Sequence, residues 1–193
     1  MKFASVYIIQ GNCMKNSDDI VKFLKDINPY ARHIFMTPMD CVFEENVKMN
    51  CFYCGKYANN WKCPPNLPNV DYKKMFAEFN HGMFVILEYY FSDNAKRDEA
   101  RRESSVTLHK NLLSIEKFLL ENNHSTVLSF GAGSCKLCKN GCGKDGCNNP
   151  YLARSPLEAT GCNVVKTLKK YGVNITFPVI NHLLRIGLIL WQD

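Results

Sequence analysis

Hydrophobic positions along the chain recur in two spacings, one typical of buried strands and one typical of amphipathic helices. Short apolar runs predict five strands, at residues 5–9, 83–91, 125–130, 173–177 and 186–191. Helical spacing or helix-start residues predict helices at residues 17–27, 71–79 and 94–122, and a further helix that Ser155 and Pro156 open. This alternation favours an α/β fold, as a single domain over residues 1–193 with a mixed sheet flanked by helices.

The helix predicted at residues 94–122 carries charged residues within its apolar face. Its core positions are Leu108, Leu112, Ile115 and Leu119. Arg102, His109 and Glu116 recur every seven residues and fall on a line inside that apolar arc. Charged groups there need a partner or a cavity. Two interpretations stay open: a His–Glu pair at the core margin, or three catalytic residues beside a metal centre, with His109 transferring protons.

Composition narrows the classes of protein to which the chain can belong. A chain of 193 residues is long enough to bury a core without disulfides. The net charge of +6 is modest, so nucleic-acid binding is not indicated. No segment approaches the roughly 18 apolar residues of a membrane span, and the opening MKFASVYIIQ lacks a signal-peptide cleavage site. We therefore expect a cytoplasmic protein that does not enter a membrane.

Ten cysteines set this chain apart from an ordinary cytoplasmic protein. Disulfides are rare in that compartment, and the cysteines are crowded rather than spread as in a disulfide framework. Two segments predicted as loops hold seven of them, at Cys51, Cys54, Cys63, Cys135, Cys138, Cys142 and Cys147. We call residues 51–65 the first cysteine segment and residues 131–147 the second.

The second cysteine segment, GAGSCKLCKNGCGKDGC, spaces its four cysteines by two, three and four residues. Thiolates so close together converge on one compact centre, and the glycines allow backbone N–H groups to approach it. Lys136, Lys139 and Lys144 offset the negative charge of such a centre. The pattern predicts a [4Fe-4S] cluster. The alternative is structural zinc, held by Cys51 and Cys54 together with Cys135 and Cys138.

The first cysteine segment, CFYCGKYANNWKCPP, supplies three thiolates, one fewer than a closed tetrahedral site needs. Cys41, ten residues upstream, is the candidate for a fourth ligand. Without it, one metal position stays open to substrate, as in catalytic metal sites. Tyr57 and Trp61 would either cover the centre or belong to the core.

Several short motifs resemble one family of proteins. They are C-x-x-C-x-x-Y ending at Tyr57, C-P-P from Cys63, G-x-C-x-L-C from Gly133, C-x-x-P from Cys147 and A-R-x-x-x-E-A-x-G from Ala153. Together they resemble the predicted metal-binding family known as domain of unknown function 2284, over roughly residues 40–193. The resemblance extends to the helix with Arg102, His109 and Glu116. It implies metal binding but no particular reaction.

The chain departs from that family's pattern at two places. Ala58 follows Tyr57 where the family usually has glycine, and Arg154-Ser155-Pro156 stands where the family usually has Arg-Pro-Ser. The exchanged serine and proline still favour a helix start. The spacing around Cys142 also differs somewhat, so the ligand set of the second segment is less firmly implied.

Three functions are compatible with the sequence. The first is an iron–sulfur protein with one or two [4Fe-4S] clusters, whose open iron performs anaerobic redox, sulfur-transfer or desulfuration chemistry on a small-molecule substrate. The second is an electron carrier with fully ligated clusters and a redox partner protein. The third is a zinc-stabilised module whose basic surface binds a protein or RNA. A homodimer that shares a centre is a further arrangement that the sequence leaves open.

Overall fold

A computed structural model describes residues 17–193 of the chain. The strands are β1 (Arg32–Met36), β2 (His81–Tyr90), β3 (Thr126–Phe130) and β4 (His182–Gln192). The α-helices are α1 (residues 17–27), α2 (Glu45–Phe52), α3 (Tyr72–Phe76), α4 (Asn94–Glu121) and α5 (Val164–Lys169). Two short 3-10 helices cover Pro38–Asp40 and Leu157–Thr160.

The four described strands form one sheet in the order β1-β2-β4-β3, and every pairing between them is antiparallel. The longest pairing joins β2 to β4, with Phe84 opposite Leu188. The prediction of a mixed sheet is therefore wrong for these strands. The two long strands are apolar on both faces, so they lack the alternation that distinguishes an antiparallel strand from a buried parallel one. The strand predicted at residues 5–9 lies outside the described residues.

Both faces of the sheet are buried. On one face α1 and α4 pack over β2 and β4, where Leu108 and Leu112 of α4 lie in the same cluster as Met83 and Val85. A Cβ on Gly187 would lie 3.0–3.1 Å from Leu108 and Leu112, so this glycine allows the helix to approach β4 closely.

The opposite face of the sheet carries a second apolar cluster. Phe84 and Leu188 of the sheet pack there with Phe76 of α3, Leu157 of the second 3-10 helix and Leu168 of α5. The elements that follow the two cysteine segments, α3 and the second 3-10 helix, are thus both anchored in the core on this face of the sheet.

The predicted core face of α4 is confirmed, because Leu108, Leu112, Ile115 and Leu119 are all fully buried. The helix predicted at residues 17–27 is also present, and the one predicted at 71–79 is shorter, at Tyr72–Phe76. The helix expected after Ser155 is a single 3-10 turn, which ends at Gly161 with a φ of 91°.

One predicted strand is wrong. Residues 173–177 form no strand in the structure. Val173 and Ile175 instead pack partly buried against the second apolar cluster, so their apolar character reflects packing rather than strand pairing. Four elements were not predicted from the sequence: β1, the 3-10 helix Pro38–Asp40, α2 and α5. Among the described helices, none is both long and apolar enough to cross a membrane.

Candidate metal centre

The two cysteine segments lie against each other, although the chain between them builds β2, α4 and β3. The indole N–H of Trp61 donates to the carbonyl of Gly143 at 2.8 Å. The side-chain amide of Asn60, itself buried, donates to the carbonyl of Cys135 at 3.1 Å. Trp61 therefore connects the two segments, and we call this contact region the joint.

The four cysteines of the second segment line one cavity of about 250 Å³. The cationic side chains that share its lining are Lys56, Lys62, Arg102 and Lys136. Burial lowers the pKa of Lys136, and the neighbouring Arg185 and Arg101 charges lower it further. A cavity that gathers thiols and cations suits a centre with net negative charge, because the cations offset that charge where water is partly excluded.

Close backbone approach shapes the second segment. A Cβ on Gly143 would lie 2.5 Å from both Asn148 Oδ1 and the Gly146 carbonyl oxygen, so the chain can double back there only without a side chain. This turn lies between Cys142 and Cys147. It brings the last cysteine back toward the others.

Hydrogen bonds already reach the sulfur atoms of the second segment. Asn149 Nδ2 donates to Cys138 Sγ at 3.1 Å. Asn149 is itself fixed, since its carbonyl accepts from the N–H of Ala153 at 2.9 Å. At Cys135, burial raises the thiol pKa, and a hydrogen bond from the backbone of Leu137 opposes that rise. Donors to sulfur stabilise the thiolate form that binds metal.

The cysteines of the first segment lie together at the joint. Cys51 lies in the last turn of helix α2, whereas the sequence predicted a loop there. Cys63 is buried and Cys54 is exposed. Burial raises the pKa of Cys63 to about 12, and nearby Cys51, Cys54 and Cys135 act in the same direction. The two cysteine sets therefore lie close enough for charge on Cys135 to act on Cys63.

Cys41, the candidate for a fourth ligand, lies in the core beside Cys162. A hydrogen bond with Cys162 raises the pKa of Cys41 and lowers that of Cys162. The Thr167 hydroxyl accepts a hydrogen bond from the N–H of Val42 at 3.0 Å and so holds the residue next to Cys41 in place. The structure therefore does not bring Cys41 together with the first cysteine set.

Glu158 is the acidic residue that the structure brings to the first cysteine set. It lies half-buried on the 3-10 helix Leu157–Thr160. Its charge raises the pKa of Cys51 and of Cys63. The sequence placed this glutamate in a family motif but gave it no role, because a single glutamate in a helix start has no metal-ligand spacing.

The three predicted catalytic residues do not share one site. Arg102 is exposed and lines the cavity of the second segment. Glu116 is buried and accepts hydrogen bonds from Arg154 Nε at 2.8 Å and Arg154 Nη2 at 2.5 Å, and another from the Ser129 hydroxyl. The predicted His–Glu pair is therefore wrong: the partner of Glu116 is Arg154, which comes from the chain beyond the second segment.

His109 lies in the core, with 1% of its surface exposed. Its Nδ1 bonds the Ser105 carbonyl at 2.8 Å, and Nε2 has no hydrogen-bond partner in the described part of the chain. Burial lowers the pKa of His109, and the Arg154 and Arg185 charges add to this effect. A Cβ on Gly131 would lie 3.3 Å from the ring, so His109 packs against the start of the second segment.

The donor set at the joint consists of thiols. The nine cysteines of residues 17–193 are all free thiols. Seven of them lie in the two sets at the joint, and soft thiolates suit both zinc and iron–sulfur clusters. In the same residues, no group of three or more His, Cys, Asp or Glu side chains has the geometry to hold a metal ion. The residues therefore fit a thiolate-bound centre in kind.

The comparison with protein families gave one match. The family described as "Predicted metal-binding protein (DUF2284)" matches residues 35–191, which include both cysteine segments and Glu158. No curated protein matches the chain, and no solved structure matches it.

Proposed function

The chain belongs to the DUF2284 family of predicted metal-binding proteins, and from this premise we propose that it is an iron–sulfur protein. The second cysteine segment would hold a [4Fe-4S] cluster through Cys135, Cys138, Cys142 and Cys147. The first segment would hold a second centre through Cys51, Cys54 and Cys63. When bound, such clusters supply one-electron redox chemistry.

One observation carries this proposal. Four thiols from one short segment line one cavity, and a second set of three adjoins it through Cys63 and Cys135. A zinc site would use four ligands and leave three thiols spare at the joint. Two clusters would use all seven.

Electrostatics at the joint support a centre with net negative charge. Burial raises the pKa of Cys51, Cys63 and Cys135, so these groups stay protonated unless a cation is bound. Around the cavity, lysine and arginine side chains would offset the charge of a cluster whose thiolates outweigh the net positive charge of its iron–sulfide core.

The same cations suggest how the site binds its substrate or its redox partner protein. Arg102 and Lys62 line the cavity and would hold an anionic small molecule, or an acidic surface of a redox partner protein. Arg102 would then be the predicted catalytic residue that contacts substrate. Glu116 fixes Arg154, whose Nη1 donates to the Tyr151 carbonyl at 2.9 Å. Proton transfer by His109 stays a prediction. We propose anaerobic, cytoplasmic redox or sulfur chemistry for the protein.

Anaerobic purification tests the proposal. We expect a brown protein with about equal amounts of iron and acid-labile sulfide. Cys135→Ser and Cys51→Ser should each remove roughly one cluster's iron. The matched control is Cys162→Ala, which removes a buried thiol outside both sets and should keep the full iron content.

Two results would contradict this assignment. A colourless protein that contains zinc would show that the cysteines hold structural zinc and not iron–sulfur clusters. If Cys135→Ser and Cys51→Ser each cause loss of the same metal centre, the two cysteine sets share that centre. Titration with cyanide separates an enzyme from a carrier, because only an iron with an open or weakly held position changes its spectrum.

A further inference from the structure

We propose that helix α2 and the loop after it form a docking surface for an acidic electron-carrier protein. The surface consists of the exposed side chains of Met49, Phe52, Tyr53 and Lys56 and the half-buried ring of Tyr57, and we call it the aromatic patch. That the partner carries electrons rests on the proposed function. The patch itself does not depend on a bound metal.

Helix α2 exposes large apolar side chains that the described chain leaves uncovered. The helix rests on the 3-10 helix Leu157–Thr160, yet it buries none of its side chains. Met49 is 50% exposed, Phe52 55% and Tyr53 78%. Met49 and Phe52 are three residues apart, so they are neighbours on the helix surface. Large apolar side chains that are exposed together mark sites at which a protein binds another molecule.

The rings of the aromatic patch are packed against one another. The ring centroid of Phe52 lies 5.4 Å from that of Tyr53 and 5.1 Å from that of Tyr57, edge-to-face in both pairs. The Tyr57 N–H donates to the Cys54 carbonyl at 2.9 Å, which holds the loop after α2 in place. Ordered side chains lose less freedom on binding, and aromatic residues and methionine are enriched in protein interfaces.

Positive charge accompanies the patch. The first cysteine segment contains two lysines and no acidic residue, and the second contains three lysines and one aspartate. Lys56 belongs to the patch and also lines the cavity of the second segment, together with Lys62, Arg102 and Lys136. None of these four cations forms an ion pair within residues 17–193. Their charges are therefore available to the acidic groups of a partner.

The same charges distinguish among the molecules that could cover the patch. A second copy of this chain would bring like charges together at this face, which is unfavourable. Helices that lie on anionic membranes carry a cationic face. The charged residues of α2 are only Glu45 and Lys48, which pair with each other at 3.1 Å. A protein with acidic groups around an apolar centre would contact both the rings and the lysines.

The position of the patch indicates the kind of protein that it binds. Phe52 follows Cys51, Cys54 follows Tyr53, and the Cys54 side chain is exposed. A protein bound to the patch therefore lies directly beside the first cysteine set. Because electron transfer slows steeply with distance, this is the place at which a carrier would exchange electrons with the proposed centre.

Titration with an oxidised flavodoxin of net negative charge tests the surface. Calorimetry at low ionic strength measures its affinity for the anaerobically purified protein. We expect Tyr53→Ser to weaken binding at least about tenfold, because exposed aromatic anchors contribute most of the binding energy of an interface. Lys56→Gln should also weaken binding and make it less sensitive to added salt.

Two matched controls make the same chemical changes elsewhere. Tyr30→Ser replaces a tyrosine that is 88% exposed in the turn before β1, and Lys22→Gln replaces an exposed lysine of α1. Both variants should bind the flavodoxin as the wild type does. Circular dichroism checks folding, and if Tyr53→Ser does not fold, Met49→Ser carries the test.

The outcomes separate this inference from the proposed function. No flavodoxin binding by the wild type, or unchanged binding by folded Tyr53→Ser, would overturn the docking surface. So would a wild-type dimer, or binding to phosphatidylglycerol vesicles or to poly(U) RNA, that Tyr53→Ser abolishes, because the patch would then have another occupant. A protein without iron and sulfide whose flavodoxin binding still depends on Tyr53 would overturn the iron–sulfur assignment and keep the docking surface.

Discussion

The sheet with α4 and the cysteine joint handle their polar groups in opposite ways. In the first region, buried charges find protein partners: Glu116 pairs with Arg154, and the Arg185 guanidinium bonds three oxygen atoms. In the joint, several thiols and one carboxylate lie together with raised pKa values and no ion pair in the described chain. The two buried charges named in the first region are thus satisfied by protein groups, whereas those of the joint would gain from the metal proposed above.

This difference separates what holds the fold from what performs the function. The sheet core stabilises the chain through apolar burial on both faces. The joint contributes positions for ligands, and only a few hydrogen bonds fix them. Changes in the first region should therefore alter the free energy of unfolding, and changes in the joint should alter metal retention.

The largest expected effect is in the first region. Glu116→Gln leaves the Arg154 charge without its carboxylate and should lower the free energy of unfolding by about 2–3 kcal/mol. Urea unfolding of the metal-free protein measures this. Glu121→Gln, which breaks only an exposed pair with Lys117, should cost less than about 0.5 kcal/mol. Metal loss from folded Glu116→Gln protein would show that the two regions are not separable.

A smaller effect is expected at the joint. Trp61→Phe removes the hydrogen bond to Gly143, worth about 1 kcal/mol. Because this bond holds the cysteine sets together, metal retention against a chelator should fall about tenfold. The control is Trp191→Phe, in β4, which should lower stability and leave chelator competition unchanged. Equal chelator sensitivity in both variants would argue against the distinction.

The pH dependence of stability tests the buried His109. Its pKa is lowered in the folded state, chiefly by burial, so the unfolded chain binds a proton first as pH falls below about 6.5. The stabilisation is present above that pH and is lost progressively as pH falls below it. In His109→Gln this loss should be absent. An unchanged pH profile would mean that the histidine titrates normally.

The smallest effect concerns Ala58 in the first cysteine segment. Its φ of 55° is a left-handed conformation that glycine adopts without strain. Ala58→Gly should therefore stabilise the protein, by about 0.5 kcal/mol. Thermal unfolding measures the change. Ala95→Gly, in the first turn of α4, should destabilise the protein instead. The same sign in both variants would contradict the argument.

Local pattern predicted the parts of the fold that local forces determine. The helical spacing of Leu108 to Leu119 gave α4 and its buried face, and the apolar run near Phe84 gave β2. The antiparallel sheet could not be predicted, because strand direction depends on how distant segments pair. Helix α2 was missed because it buries no side chain, so it has no apolar periodicity to detect.

For the candidate site, too, the sequence predicted the features set by local spacing and not the contacts between distant residues. The spacing of the cysteines predicted the four that line one cavity, and the family resemblance is confirmed by the match over residues 35–191. The partners of single charged residues could not be predicted. Arg154 reaches Glu116 from 38 positions away, and Glu158 reaches the first cysteine set only through the fold.

The position of β4 has a consequence for how the protein is made. This strand pairs with both β2 and β3, yet it comes from residues 182–192, after both cysteine segments. A ribosome-bound chain that lacks these residues has no bridge between β2 and β3, so the elements that carry the two segments are not yet joined. Residues 182–192 must therefore be available before β2 and β3 can be joined in one sheet.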